Sequence, residues 1–223
     1  MRGCALVHDQ ILKRIEEEKL IAILRGLTPQ ESIQTALALY EGGIRLIEVT
    51  FNQRQAESFD ETTEAIRGIC EASHGNMEVG AGTVTSLQMV RLAKNAGAQF
   101  IISPNTDQEV IFETKKLGMV SIPGAMTPSE AVTAHKAGAD FVKLFPAGAL
   151  GPEYLKAVRG PLSHIKFMAV GGVNQHNIPD FVAAGACGVG VGGCLVNRDW
   201  IKEGRFDRLA ALAAEYCKAV KTH

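Results

Sequence analysis

From Leu20 onward, two hydropathy patterns take turns along the chain. Short runs rich in Val, Ile and Phe have the near-continuous apolar character of strands buried on both faces. They are "LIAIL", "IRLIEVT", "MEVGA", "QFIIS", "MVSIP", "DFVKLF", "IKFMAV" and "CGVGVG". Between them lie longer stretches with helical spacing. "TPQE" at Thr28 to Glu31 and "TPSE" at Thr127 to Glu130 each place threonine, proline and glutamate as a capping box with proline at the first helical position. The steps Gly42-Gly43, Ala96-Gly97, Ala137-Gly138 and Ala184-Gly185 precede the next strands, where glycine supplies a left-handed helix cap. The pattern predicts eight strands, each followed by a helix, after an extra helix at about Val7 to Glu18. Unbroken strand–helix alternation implies a parallel sheet. Eight units of roughly 25 residues match a compact α/β fold, the (β/α)8 TIM barrel. A doubly wound open sheet is the other arrangement. No linker or low-complexity run divides the chain, so residues 1–223 are expected to form one barrel domain.

Composition narrows the function mainly by exclusion. The 223 residues are 46% hydrophobic with a formal net charge of -1, and neither half is strongly basic, which argues against a nucleic-acid partner. No basic amphipathic segment reads as a membrane anchor, no apolar run approaches a membrane span, and the N-terminus lacks the apolar stretch of a signal peptide. The five cysteines are odd in number and scattered, without C-x-x-C, which points to reduced, mostly buried thiols in a cytoplasmic protein. The six histidines show no metal-ligand spacing and read as solvated or structural. Neither a metal nor a cofactor is expected.

Two charged residues stand out against their apolar strands. In a barrel, reacting groups gather at the C-terminal ends of the strands. Side-chain alternation puts Leu46, Glu48 and Thr50 on one face of the second strand. Lys143 sits in the sixth, among Phe141, Val142, Leu144 and Phe145. Strands two and six oppose each other across an eight-stranded barrel, and both are even-numbered, so the two charges can share an interior layer. Each would then make the burial of the other tolerable. A lysine snorkelling to water, or a purely structural ion pair, is the plainer account. Matching positions in opposite strands favour chemistry.

Gly171-Gly172 follows the seventh strand and Gly192-Gly193 the eighth. Backbone N–H groups unobstructed by side chains form anion sites, and barrels commonly hold phosphate at these two strand ends. Tight turns alone would explain either pair singly. Arg25, ending the first strand, would bind a carboxylate or phosphate or else pair with Glu48. Thr83, in "GAGTV", would offer a hydroxyl to a carboxylate or else cap the helix starting near Ser86. Pro104, in the "SPN" ending the fourth strand, is counted with the substrate-binding positions.

With these residues in place, the chain from about Leu20 to Val196 resembles the 2-keto-3-deoxy-6-phosphogluconate (KDPG) / 4-hydroxy-2-oxoglutarate (KHG) aldolases. The resemblance is carried by "AILRG", "GGIRLIEVTF", "GAGTV", "ISPN", "IPGAMTPSE", "FVKLFPA", "GPEYLKAVRGP" and "GGV", in that order and spacing. It implies that Lys143 forms a Schiff base, Glu48 shuttles protons and Thr83 contacts a pyruvyl carboxylate. It further implies that Gly171, Gly172 and Gly192 hold a phosphate, in a (β/α)8 barrel that is often a homotrimer and needs no metal. Three positions depart from many members. Asn52 stands where arginine is common, Val170 where threonine precedes the Gly-Gly pair, and Gly193 where serine follows glycine. Asn52 and Val170 are expected to bear on the substrate, and Gly193 on the phosphate loop. The expected reaction is cleavage of a phosphorylated 2-keto-3-deoxy sugar acid, or of 4-hydroxy-2-oxoglutarate, to pyruvate and an aldehyde. A barrel isomerase using Glu48 as base without an imine, and a non-catalytic sugar-phosphate binding protein, are the rival readings.

Overall fold

The computed structural model describes residues 2–54 and 59–221, the side chains of residues 2–7 excepted. Helix α1 (Arg2–Glu18) leads into β1 (Leu20–Leu24), α2 (Pro29–Glu41), β2 (Leu46–Thr50), α3 (Phe59–Ser73) and β3 (Glu78–Gly82). The chain continues through α4 (Leu87–Asn95), β4 (Phe100–Ile102), α5 (Gln108–Lys116), β5 (Val120–Ile122) and β6 (Gly124–Ala125). Then come α6 (Pro128–Lys136), β7 (Val142–Leu144), α7 (Ala147–Leu150), α8 (Pro152–Arg159), β8 (Phe167–Val170), α9 (Ile178–Ala183), β9 (Gly188–Val191), α10 (Arg198–Lys202) and α11 (Phe206–Lys221).

All strand pairs are parallel, in the order β5-β4-β3-β2-β1-β9-β8-β7-β6. Nine ladder segments stand where the sequence pattern predicts eight strands, because the fifth strand is split in two. The fifth, "MVSIP", is broken at Pro123, which has no N–H to give a ladder. β5, within "MVSIP", pairs β4, and its continuation β6, past Pro123, pairs β7. The carbonyl of Pro123 still accepts from the Lys143 N–H at 2.8 Å, so the two ends of the sheet belong to one bent strand and the (β/α)8 barrel closes through it. The carbonyls of Ser103 and Pro104 press against Gly124, where a Cβ would collide with them.

Local signals behave as their chemistry requires. Thr28 and Thr127 accept from the N–H groups of Glu31 and Glu130, whose carboxylates accept in return from the threonine N–H groups. Gly43, Gly97, Gly138 and Gly185 all take positive φ after their helices. The core has two layers. Ile47, Val49, Ala81 and Ile101 face the surrounding helices. Ile21, Leu46, Phe100, Ile102, Val120, Ile122, Phe141 and Met168 fill the barrel, and Ile11 and Ile15 of α1 join them. The N-terminal helix thus stoppers the mouth opposite the strand ends. Lys115 and His8, tied to Asp140, fasten it there.

The interior tolerates the Phe100 ring only because β3 presents Gly80 beside it; a Cβ at position 80 would enter the ring. Gly80→Ala should lower stability by about 1–3 kcal/mol, as overpacked cores do. Urea unfolding checks this, and Phe100→Leu should cost less in the Gly80→Ala background than in the parent.

Candidate active site

Along β2 the alternation holds. Leu46 lies in the barrel interior while Ile47 and Val49 pack outward, so Glu48 points inward. The same logic on β7 turns Lys143 inward, between Val142 and Leu144 of the outer layer. Strands β2 and β7 are separated by β1, β9 and β8 on one side and by β3, β4 and the broken fifth strand on the other. Glu48 and Lys143 therefore face each other across the barrel, 1% and 5% exposed respectively.

The carboxylate lies over Gly82, where any Cβ would strike it, so glycine in "GAGT" is the seat that lets Glu48 fit. Its Oε2 has no hydrogen-bond partner in the protein. Burial raises the Glu48 carboxyl above the usual carboxylate range, with the charges of Lys143 and Arg25 pulling it back. Burial likewise lowers the Lys143 amine below the usual lysine value; Glu48 opposes that shift and Arg25 adds to it. The amine sits 4.8 Å from the ring centroid of Phe145, a half-exposed residue at the barrel mouth. A buried amine driven toward neutrality is a nucleophile, and a buried carboxyl with raised proton affinity both takes and gives protons.

The mouth above this pair is built from loops. Arg25 and Gly192-Gly193 line a cleft of about 550 Å³ with Ile23, Asn197 and Arg198. A second cleft of about 420 Å³ brings Arg25 together with Asn52, Gln53, Thr83 and Arg198. Arg25 is exposed and reaches Glu48 only through its field, so it is not that residue's ion-pair partner. Arg198 donates from Nη2 to the carbonyls of Arg25 and Gly26 at 2.6 and 2.9 Å, holding the first loop against the last. Thr83 does not cap the following helix. That cap is Ser86, which accepts from the Met89 N–H. Instead Thr83 has φ +58°, unusual for a β-branched residue and costing roughly 1–3 kcal/mol. Strain of this kind gathers at functional sites.

Gly171 and Gly172 have φ +86° and +76°, a conformation that favours glycine. The Gly171 carbonyl accepts from the Gly148 N–H at 2.7 Å, and the Phe145 ring packs where a Gly171 side chain would stand. No protein atom crowds Gly193, and Gly192 has only Ile23 nearby. Val170 is buried in the interior layer, its methyl groups next to Gly190, which also borders Ile23. Pro104 sits at the end of β4 by the Gly124 seam rather than among the residues lining either cleft.

Sequence reasoning missed Gln53, Arg198 and the Gly82 seat, since loop clamps leave no periodic trace. It also overstated cysteine burial: Cys70, Cys187 and Cys217 are partly exposed and Cys194 is exposed, while the Cys4 side chain and His223 lie outside the described residues. Among the described residues, no cluster of three or more His, Cys, Asp or Glu is arranged to hold a metal, and no helix is long and apolar enough to cross a membrane.

A family model described as KDPG and KHG aldolase matches residues 11–212. A 2-dehydro-3-deoxy-6-phosphogalactonate aldolase of Escherichia coli K12 is 37% identical over 203 residues, covering 91% of this chain and 96% of the relative. A KHG/KDPG aldolase of the same strain is 33% identical over 193 residues, covering 86% and 87%. The solved structure of a KDPG aldolase from Legionella pneumophila, with pyruvate captured at low pH as a covalent carbinolamine intermediate, superposes with a TM-score of 0.78 at 29% identity over 91% of this chain and 94% of that one.

The buried pair should weaken the fold it occupies. The folded Glu48 holds its proton to higher pH than the unfolded chain, so stability falls as pH rises from the ordinary carboxylate value through the raised one. Folded Lys143 loses its proton at lower pH than the unfolded chain, so stability falls as pH drops from the ordinary lysine value toward the lowered one. Replacing both, as Glu48→Leu with Lys143→Met, should raise stability at pH 7 by about 1–4 kcal/mol. Urea unfolding is the measurement; a less stable double variant would make the pair a structural asset.

Proposed function

The chain belongs to the KDPG and KHG aldolase family of carbon–carbon lyases, and from that premise we propose that Lys143 and Glu48 are its catalytic pair, acting through a Schiff base on a 2-keto-3-deoxy-6-phospho sugar acid. The observation that carries this reading is the buried amine of Lys143 facing, across the barrel, a buried carboxyl one of whose oxygens has no hydrogen-bond partner in the protein. The neutral amine attacks the C2 ketone. The carbinolamine loses water to give a protonated imine, which is an electron sink. Glu48, directly or through water, removes the C4 hydroxyl proton. The C3–C4 bond breaks, its electron pair passing into the imine to leave an enamine, and the aldehyde departs. Protonation at C3 and addition of water return pyruvate and the free lysine.

Around this centre, Thr83 is assigned to the pyruvyl carboxylate, and Arg25 to a carboxylate or the phosphate. Gly171, Gly172, Gly192 and Gly193 form the phosphate end. Asn52, Pro104 and Val170 complete the substrate-binding set. One barrel domain carries all of them. The resemblance also favours a cytoplasmic homotrimer, which sedimentation would test.

Val170 bears on the choice of epimer. The gluconate and galactonate substrates differ in the direction of the C4 hydroxyl. A site that hydrogen-bonds a hydroxyl rejects a mismatched analogue strongly, whereas an apolar wall discriminates weakly. Val170 offers an apolar wall next to Gly190. We therefore assign a relaxed or galactonate-leaning preference, in keeping with the galactonate-type relative at 37% identity.

Borohydride with pyruvate should reduce an adduct onto Lys143. Lys143→Met should abolish both the adduct and cleavage, and Glu48→Gln should slow turnover by about 10²–10⁴-fold. An adduct mapped to another lysine would end the assignment. Val170→Thr should move kcat/KM toward the gluconate epimer. A wild type that already strongly prefers that epimer, together with a threonine variant that changes nothing, would refute the role given to Val170.

A further inference from the structure

The strained Thr83 is held by a residue from another loop. Gln53, three positions past the end of β2, donates from Nε2 to the Thr83 carbonyl at 2.7 Å. Its Oε1 accepts from the Thr85 hydroxyl at 3.3 Å. A single amide therefore brackets Val84, which is fully buried and donates its own N–H to the Ile102 carbonyl at 3.3 Å. The Thr83–Thr85 turn is thereby pinned to the barrel at its centre and to the loop after β2 at both ends. The carbonyl that Gln53 holds belongs to the very residue whose φ is +58°.

A β-branched residue left to itself returns to negative φ, where its carbonyl and side chain take other directions. We infer that Gln53 is a positioning residue, which fixes Thr83 so that its hydroxyl faces the carboxylate of the keto acid. The inference rests on the aldolase reading and on the place given there to Thr83. An amide suits the task because it donates and accepts at once. A glutamate at this position would still accept from Thr85 but could not donate to the Thr83 carbonyl. A methionine would keep the length and lose both bonds.

The test is borohydride trapping of pyruvate on Lys143, with rate followed against pyruvate concentration. Gln53→Glu and Gln53→Met should each raise the half-saturating pyruvate concentration by about tenfold, the equivalent of one lost hydrogen bond of ordinary strength. The limiting rate at saturation should stay close to that of the parent. With Thr83→Ala already in place, adding Gln53→Met should produce no further rise, because the group being positioned is gone. If the parent forms the adduct while the Gln53 variants show unchanged half-saturation and only a lower melting temperature, Gln53 is merely structural and the inference falls. Full additivity with Thr83→Ala would overturn it as well. No adduct in the parent would overturn the aldolase reading itself, and this inference with it.

Discussion

Two ionisable side chains, Glu48 and Lys143, withdrawn from water on opposite strands of one barrel, are the constraint around which the molecule is arranged. Burial works against the charged form of both Glu48 and Lys143. Each is tolerated largely through the field of the other, with no hydrogen-bond partner for one oxygen of the carboxylate. The sheet makes room for them with glycines. Gly82 admits the Glu48 carboxylate, and Gly80 and Gly190 admit the Phe100 ring and the Val170 methyl groups. The apolar layer beneath, from Ile21 and Leu46 to Phe141 and Met168, keeps water from entering from below.

Above this layer, the architecture changes from strand ladders to clamps. Arg198 grips the carbonyls of Arg25 and Gly26, and Gln53 grips that of Thr83. Both fix backbone carbonyls of loops beyond the strand ends. Rigid strands thus set the depth of Glu48 and Lys143, and side-chain-to-backbone bonds set the shape of the mouth. Catalytic geometry is well served by that division, since the positions of binding loops otherwise drift.

Most of the frame was legible in the sequence because it rests on periodic or local chemistry. Apolar runs of strand length, the two threonine capping boxes and the post-helical glycines each have one physical meaning, and the structure uses them so. Opposing Glu48 to Lys143 needed only strand order and the two-residue period. The break at Pro123 was not read, although proline's missing N–H could have suggested it. Ser86, not Thr83, caps α4, because capping depends on where the helix begins, and boundaries are poorly marked. Gln53 and Arg198 were invisible: their partners are carbonyls 30 and 173 positions away, which any residue could supply.

The stopper formed by α1 has a kinetic meaning. Ile11 and Ile15 close the far end of the barrel, so among the described residues the central well opens at the strand ends. In the proposed reaction, the pyruvyl half is tethered to Lys143 at the floor of that well, while the aldehyde half lies between it and the door. Departure must then follow a queue: the aldehyde, nearer the door, leaves first and pyruvate second. In the condensation direction the order reverses, with pyruvate entering an empty well and the aldehyde arriving on top of it. A well closed at its far end therefore imposes an ordered sequence.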